Sequence, residues 1–260
     1  MDLATIIGLV LAIASLLISV ILEGGELHSL INESAALLVF GGTIGATLIC
    51  YSLEDIKEIG KVLKIAFTTQ KTDPISVIEN LVSFAERARR EGLLALENET
   101  SSMDDDFLRK GIQLIVDGTD PELVRNILET ELAFLEQRHH RSASIFETAG
   151  GFAPTMGIIG TVMGLVHVLG NLSDVAGLGP AIATAFIATF YGVSSANVIF
   201  LPLANKLKGK SSTEQLIREI MIEGILSIQA GENPRIVKEK LMAFLSPKIR
   251  SQLPVEGGEK

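Results

Sequence analysis

The sequence predicts an all-α integral membrane protein with four transmembrane helices and a helical cytoplasmic domain. Three observations predict it. All 22 lysines and arginines fall within residues 57–141 and 206–260. The two stretches without them, 1–56 and 142–205, each hold two long apolar runs. The intervening polar block carries repeated helix-start signals. Exclusion of charge from apolar runs, with basic residues gathered on one side, is the signature of a chain threaded through a bilayer.

The first run, Leu3–Leu22, is long enough to cross ~30 Å of hydrocarbon and carries no charge. It lacks a basic flank and a small-residue cleavage site, so it reads as a span, not as a signal peptide. The second run is 34–52, the third 148–172 and the fourth 178–205. The connections at 23–33 and 171–177, the latter with Asp174, are short and free of Lys and Arg. Both are expected outside, which places the N-terminus, 53–147 and 206–260 in the cytoplasm. The expected organisation is 1–52 for the first two spans, 53–147 for a cytoplasmic helical domain, 148–205 for the last two spans and 206–260 for C-terminal cytoplasmic helices.

The spans are rich in small residues. Gly41 and Gly45, and Gly160 and Gly164, are four apart, and Ala185, Thr189, Gly192 and Ala196 fall three or four apart. Small residues let helix backbones approach closely in lipid. They serve packing within one subunit, packing between subunits or packing around a foreign helix. The apolar core of each span lacks Asp and Glu; Glu147 stands at an edge and His167 towards the outer end of the third run. Ion-coupled transporters usually keep a carboxylate in the membrane, so any ion-binding carboxylate is expected from a partner. Thr161 and Thr189 put hydroxyls midway along the third and fourth runs. They either bond to the preceding helical turn or offer oxygen to a hard cation. Pro154 and Pro202, near the inner ends, mark a kink, a helix end or a hinge.

In the cytoplasmic block, Asp73-Pro74 opens a helix to about Glu91 with Ile75, Ile78, Leu81, Val82, Ala85 and Ala88 on one face. Asp104, Asp105 and Asp106 open another, and Asp120-Pro121 a third. No strong terminator follows the third before Gly150-Gly151, so it is expected to run on into the third span. Ser212 is expected to cap a helix to about Ala230, and Asn233-Pro234 one to Leu245. Between Arg89 and Glu97 two arginines end a helix, Gly92 breaks it and a glutamate follows. This is either a complement to the helix dipole or a charged docking face.

A net charge of −9 speaks against nucleic-acid binding. The one cysteine, Cys50, excludes an internal disulfide and reads as inert packing. No phosphate loop, metal-ligand spacing or catalytic triad pattern is present, and His139-His140, adjacent on a helix, point apart. The sequence therefore suggests neither an enzyme nor a bound cofactor.

Several stretches together resemble the MotA/PomA family, the larger subunit of the bacterial flagellar stator. Residues 88–97 (Ala-Arg-Arg-Glu-Gly-Leu-Leu-Ala-Leu-Glu) are similar to the family's cytoplasmic signature. Residues 152–165 (Phe-Ala-Pro-Thr-Met-Gly-Ile-Ile-Gly-Thr-Val-Met-Gly-Leu) resemble its third span. Residues 190–192 (Phe-Tyr-Gly) and 202–207 (Pro-Leu-Ala-Asn-Lys-Leu) resemble its fourth span and exit. The resemblance implies a pentameric ring around a single-span MotB/PomB-type partner that supplies the membrane aspartate, seated in the bacterial inner membrane. It implies that ion flow turns the ring and that the cytoplasmic face engages the rotor protein FliG. By motif position, Arg89 and Glu97 match rotor-facing charges, Pro154 and Pro202 match prolines at the inner channel mouth, and Thr161 and Thr189 fall where the ring lines the partner's helix. Threonine at 161 resembles sodium stators, whereas Ala188-Thr189 departs from their Thr-Thr pair, so proton and sodium both stay open. The related ExbB/TolQ class, with three spans, is the alternative, and a non-conducting membrane scaffold a further one.

Overall fold

The computed structural model describes residues 2–69, 73–100, 103, 105–173 and 175–250. Among the described residues every regular element is helical. Four helices are long and apolar enough to cross a membrane. The chain forms two units: 1–69 with 138–209, and 70–137 with 210–260. The predicted positions of Asp104 and Asp174 lie outside the described residues.

The first unit contains the membrane helices. Leu3–Leu22 opens where the Asp2 side chain accepts from the Thr5 N–H at 3.3 Å. No residue of this helix is buried, as expected of a lipid- or partner-facing element. The second membrane helix opens at Asn32, whose side chain accepts from Ala35 N–H at 2.9 Å. It runs through Glu33–Ala36, a π-helical turn at Leu37–Gly41 and on to Gly42–Cys50. Cys50 is exposed, not packed. As the last residue of its helix, it has no neighbouring turn above to cover it.

Two short helices follow, Leu53–Lys57 and Ile59–Phe67. The first is fixed by a reciprocal cap between Ser52 and Asp55. The second buries Val62 and Ala66 in a cluster with Ala143, Phe146, Leu203, Ala204 and Leu207. The third membrane segment belongs to a 50-residue helix, Pro121–Gly170, as the absence of a terminator predicts. Gly150-Gly151 does not end it. The fourth is Val175–Ser195, continued by a π turn at Ala196–Phe200 and by Leu201–Gln229.

Ser212 therefore caps nothing. It lies exposed inside Leu201–Gln229. A serine is a cap only where the chain turns, and here no proline or left-handed glycine interrupts the helix ahead of it.

The second unit is a helical cluster around one apolar core. Pro74–Glu91 starts on the Asp73 cap and stops at Gly92, whose φ of +85° is open to glycine and costly for a side chain. Asp106–Val116 starts on Asp105, which accepts from the N–H groups of Phe107 and Leu108. Pro234–Met242 starts on Asn233 and stops short of Leu245, its last turn loosening at Ala243. Ile78, Leu81, Leu96, Ile112, Leu128, Ile225 and Leu241 are at most 1% exposed and form the centre. Each such side chain contributes roughly 1.5–3 kcal/mol on burial. Ionic links stitch the rim. Lys240 bridges Glu223 at 2.5 Å and Glu232 at 3.4 Å, and Arg218 binds Asp105 at 2.5 Å while lying over the Phe107 ring. Burial pushes the Glu223 carboxyl up, but Lys240 and Arg125 more than offset this and hold it below its usual value.

Candidate functional site

In the first unit, the third and fourth membrane helices cross where both have shed their side chains. A Cβ on Gly157 would stand 2.8 Å from the Ala188 carbonyl oxygen, and one on Gly192 2.3 Å from that of Ala153. Gly160 faces Ala188 and Gly164 faces Ala185, each with a would-be Cβ contact of 2.6 Å or less. Of the packing roles open to these small residues, these serve packing within one chain. Gly41 and Gly45 differ: a Cβ on Gly45 would meet nothing within 4 Å, and one on Gly41 only Leu37 of its own helix.

This close approach brings the two sequence-predicted threonines together. Their hydroxyl oxygens are 2.5 Å apart. The Thr161 hydroxyl also lies 2.9 Å from the Ala185 carbonyl oxygen across the crossing and 3.2 Å from that of Gly157 on its own helix. The Thr189 hydroxyl is 3.3 Å from the same Gly157 oxygen. Two hydroxyls and two backbone carbonyls thus converge, and each carbonyl also serves the helical N–H four residues on. The hydroxyl oxygens keep lone pairs beyond these bonds and can meet a small cation or a water.

Pro154 lies on the third helix, seven residues before Thr161 and so on nearly the same face. It is half-buried inside an unbroken helix, where its missing N–H leaves the Gly150 carbonyl without its ladder partner. Pro202 is exposed and stands two residues past the end of the π turn Ala196–Phe200. Neither proline ends its helix. The threonines meet each other, while the prolines stand apart from them along the two helices.

Sequence reasoning missed the residues that fix the fourth helix from its other side. The Tyr191 hydroxyl donates to the Leu30 carbonyl and accepts from the Asn32 N–H at 3.1 Å. Asn32 Nδ2 donates to Thr184 Oγ1 at 3.1 Å, and Phe40 stacks on Tyr191 with ring centroids 5.8 Å apart. Tyr191 sits in the Phe-Tyr-Gly motif, but its partners are some 160 residues away in sequence. Where the second, third and fourth spans give way to polar segments, Arg141 bonds Asp55 at 2.7 Å, and Lys208 pairs with Glu147. The Arg141 guanidinium, helped by Ser52, holds the Asp55 carboxyl down at about 2, and Asp55 in turn raises Arg141.

In the second unit, Arg89, Arg90 and Glu97 are exposed on either side of the Gly92 turn. Their neighbour Arg87 is instead consumed by Glu91 and Glu99. The region thus separates a charge used for folding from charges presented to solvent.

Comparison with known proteins identifies the family. Residues 99–220 match the model of the MotA/TolQ/ExbB proton channel family, and residues 6–92 that of the motility protein A N-terminal region. Motility protein A of Bacillus subtilis is 38% identical over 100% of this chain and 98% of its own length. Chemotaxis protein PomA of Vibrio alginolyticus is 36% identical, over 95% and 96%. Among solved structures, C. jejuni MotAB superposes with a TM-score of 0.91 at 32% identity over all of both chains. The flagellar MotAB stator complex from Bacillus subtilis gives 0.90 at 38% identity, over 96% and 99%. The chain belongs to the MotA/TolQ/ExbB proton channel family, among its motility protein A members.

Proposed function

We propose that this chain is the larger membrane subunit of a flagellar motor stator, working with a single-span MotB-type partner to turn ion flow into torque. The observation that carries the reading is full-length likeness to MotAB stator subunits in both sequence and fold. The crossing supports it. Its hydroxyls and carbonyls accept but do not ionise, so a partner carboxylate has a place to act. The four membrane helices favour this reading over the three-span ExbB/TolQ class. Five copies form a ring around the partner, in the inner membrane, with both termini cytoplasmic. Thr161 and Thr189 face the ion route, Pro154 and Pro202 lie at its inner mouth, and residues 53–147 and 206–260 form the cytoplasmic domain. Arg89 and Glu97, exposed and without ion pairs among the described residues, meet opposite charges on the rotor protein FliG.

The test is complementation of a strain lacking its own larger stator subunit, with the matching partner supplied. Swimming is expected to return with the wild-type chain. It is expected to fail with Arg89→Glu while protein level and partner co-purification stay unchanged, because an exposed charge contributes little to stability. Restored swimming with Arg89→Glu removes the docking role; no swimming with the wild-type chain removes the stator reading. Swimming speed against external sodium at fixed pH reads the ion, and Thr161→Ala is expected to slow swimming with either ion.

A further inference from the structure

The crossing of the third and fourth membrane helices has a weakness that contact with an ion exposes. Among the described residues, the side-chain hydrogen bonds across it come from Thr161 and Thr189. Elsewhere its glycines meet backbone or the Ala185 and Ala188 methyls, which gives close packing without directional hold. A threonine hydroxyl that turns to an ion or a water gives up one of the bonds that tie the helices together. Another contact must then keep the fourth helix in place.

The opposite face of the fourth helix supplies one. Tyr191 stands two residues past Thr189, about 200° round the helix. Its hydroxyl donates to the Leu30 carbonyl and accepts from the Asn32 N–H at 3.1 Å, at the joint where the second membrane helix begins. Asn32 is itself committed on both side-chain atoms. Its Oδ1 accepts from the Ala35 N–H at 2.9 Å, and its Nδ2 donates to Thr184 Oγ1 at 3.1 Å. Thr184 lies seven residues before Tyr191 and so on nearly the same face. Phe40 stacks on the tyrosine ring. Between these contacts Ala188, 2% exposed, is packed with Ala35 and Val39 on one side and meets Gly160 on the other. One turn of the fourth helix is thus gripped by a tyrosine clamp on one face and by the threonine pair on the other.

On the stator reading, we infer that Tyr191 is a positioning residue for the Thr161–Thr189 pair and sets the ion concentration at which the motor runs. With the clamp closed, the two hydroxyls stay within reach of each other while one of them faces an ion. With it open, the fourth helix backs away, the oxygens separate, and an ion meets one hydroxyl in place of two. Tyr191 acts through the helix and touches no ion itself; side chains that meet a ligand depend on such supporting bonds for their geometry.

Swimming speed of the complemented strain tests this, measured against external sodium at fixed pH and against external pH without sodium. Tyr191→Phe keeps the ring on Phe40 and removes both hydroxyl bonds. The concentration of the driving ion at half-maximal speed is expected to rise roughly two- to tenfold, the factor that a lost hydrogen bond sets. Speed at saturating ion and co-purification of the partner are expected to change little. Tyr51→Phe makes the same change at the chain's other tyrosine, which bonds Ser144 and Thr148, and is expected to leave the half-maximal concentration where it is. Thr184→Val removes only the Asn32 Nδ2 bond. It is expected to give a smaller rise and decides the matter if Tyr191→Phe does not accumulate. An unmoved half-maximal concentration in Tyr191→Phe, or in Thr184→Val where the first variant is lost, overturns the role and leaves the stator reading standing. An equal rise in Tyr51→Phe, or a fall in maximal speed alone, makes Tyr191 an ordinary structural bond and overturns it too. A wild-type chain that does not swim removes the stator reading and this role with it.

Discussion

At the scale of single residues, the membrane crossing depends on what is missing from its side chains. Gly192→Ala would press a methyl to within 2.3 Å of the Ala153 carbonyl oxygen and 3.2 Å of the Gly157 Cα. Backbone cannot give way as a flexible side chain does, so the expected cost is the ~1–3 kcal/mol of overpacking or more. Thermal unfolding of the purified complex measures it, and Gly45→Ala, whose methyl meets nothing within this chain, is the control, with little change expected. The two positions also show how far the sequence could be read. Gly41 and Gly45 have the same spacing as Gly160 and Gly164, yet only the second pair meets another helix of the chain. Spacing states that a helix offers a flat face; it does not state what covers it. A second expectation concerns Asp55. Arg141 and Ser52 depress its carboxyl to about 2, below the ~3.9 of an unfolded chain. A depressed carboxyl contributes its stability in full above the unfolded value and loses it as pH falls through the folded one. The difference in melting temperature between wild type and Asp55→Asn is therefore expected to be constant near neutral pH and to shrink between about pH 4 and pH 2. A difference that persists unchanged at the acid end would assign the effect to packing, not to the ion pair.

At the scale of elements, the legible features were those written in local chemistry. Asp73-Pro74 and Asn233-Pro234 start helices because a capping oxygen and a proline at the first turn satisfy and preset the chain within a few residues. The continuous helix Pro121–Gly170 was equally readable, since nothing local stops it. Ser212 misled because a capping side chain is a permissive signal, not a sufficient one. The π turns at Leu37–Gly41 and Ala196–Phe200 had no local sign at all. An inserted residue in a helix is held by tertiary contacts, here the stacking of Phe40 on Tyr191, and π turns often accompany functional sites. Pro154 belongs with them as a built-in fault in the ladder. With alanine in its place an N–H returns for the Gly150 carbonyl, and the helix gains order where the sequence offers a hinge. Pro154→Ala is thus expected to accumulate normally and to co-purify with the partner, yet to swim slowly. Tethered-cell rotation with normal torque would return Pro154 to a passive role.

At the scale of the whole molecule, the charge map and the helices agree on a membrane protein, because exclusion of Lys and Arg from a bilayer is a global constraint that leaves its mark on composition. The same map makes a statement about sides that labelling can check. Exposed Cys50 would react by itself, so the background is Cys50→Ser. Glu26 lies in the segment between the first and second membrane helices, and Ser212 lies exposed beyond the fourth. Both are exposed in the fold, so a difference in reactivity between them reports the membrane and not burial. With an impermeant maleimide on intact spheroplasts, Glu26→Cys is expected to label, and Ser212→Cys only after permeabilisation. The asymmetry follows from where the basic residues stand: residues 206–260 hold ten of the 22 lysines and arginines, and 23–33 hold none. Each cation drawn across the hydrocarbon costs ~2.5–3.5 kcal/mol at the midplane, so ten of them fix the side far more firmly than the acidic residues of the short loop could oppose. Labelling of Ser212→Cys in intact cells would place the C-terminal helices outside, and with them would go the assignment of Arg89 and Glu97 to a cytoplasmic rotor.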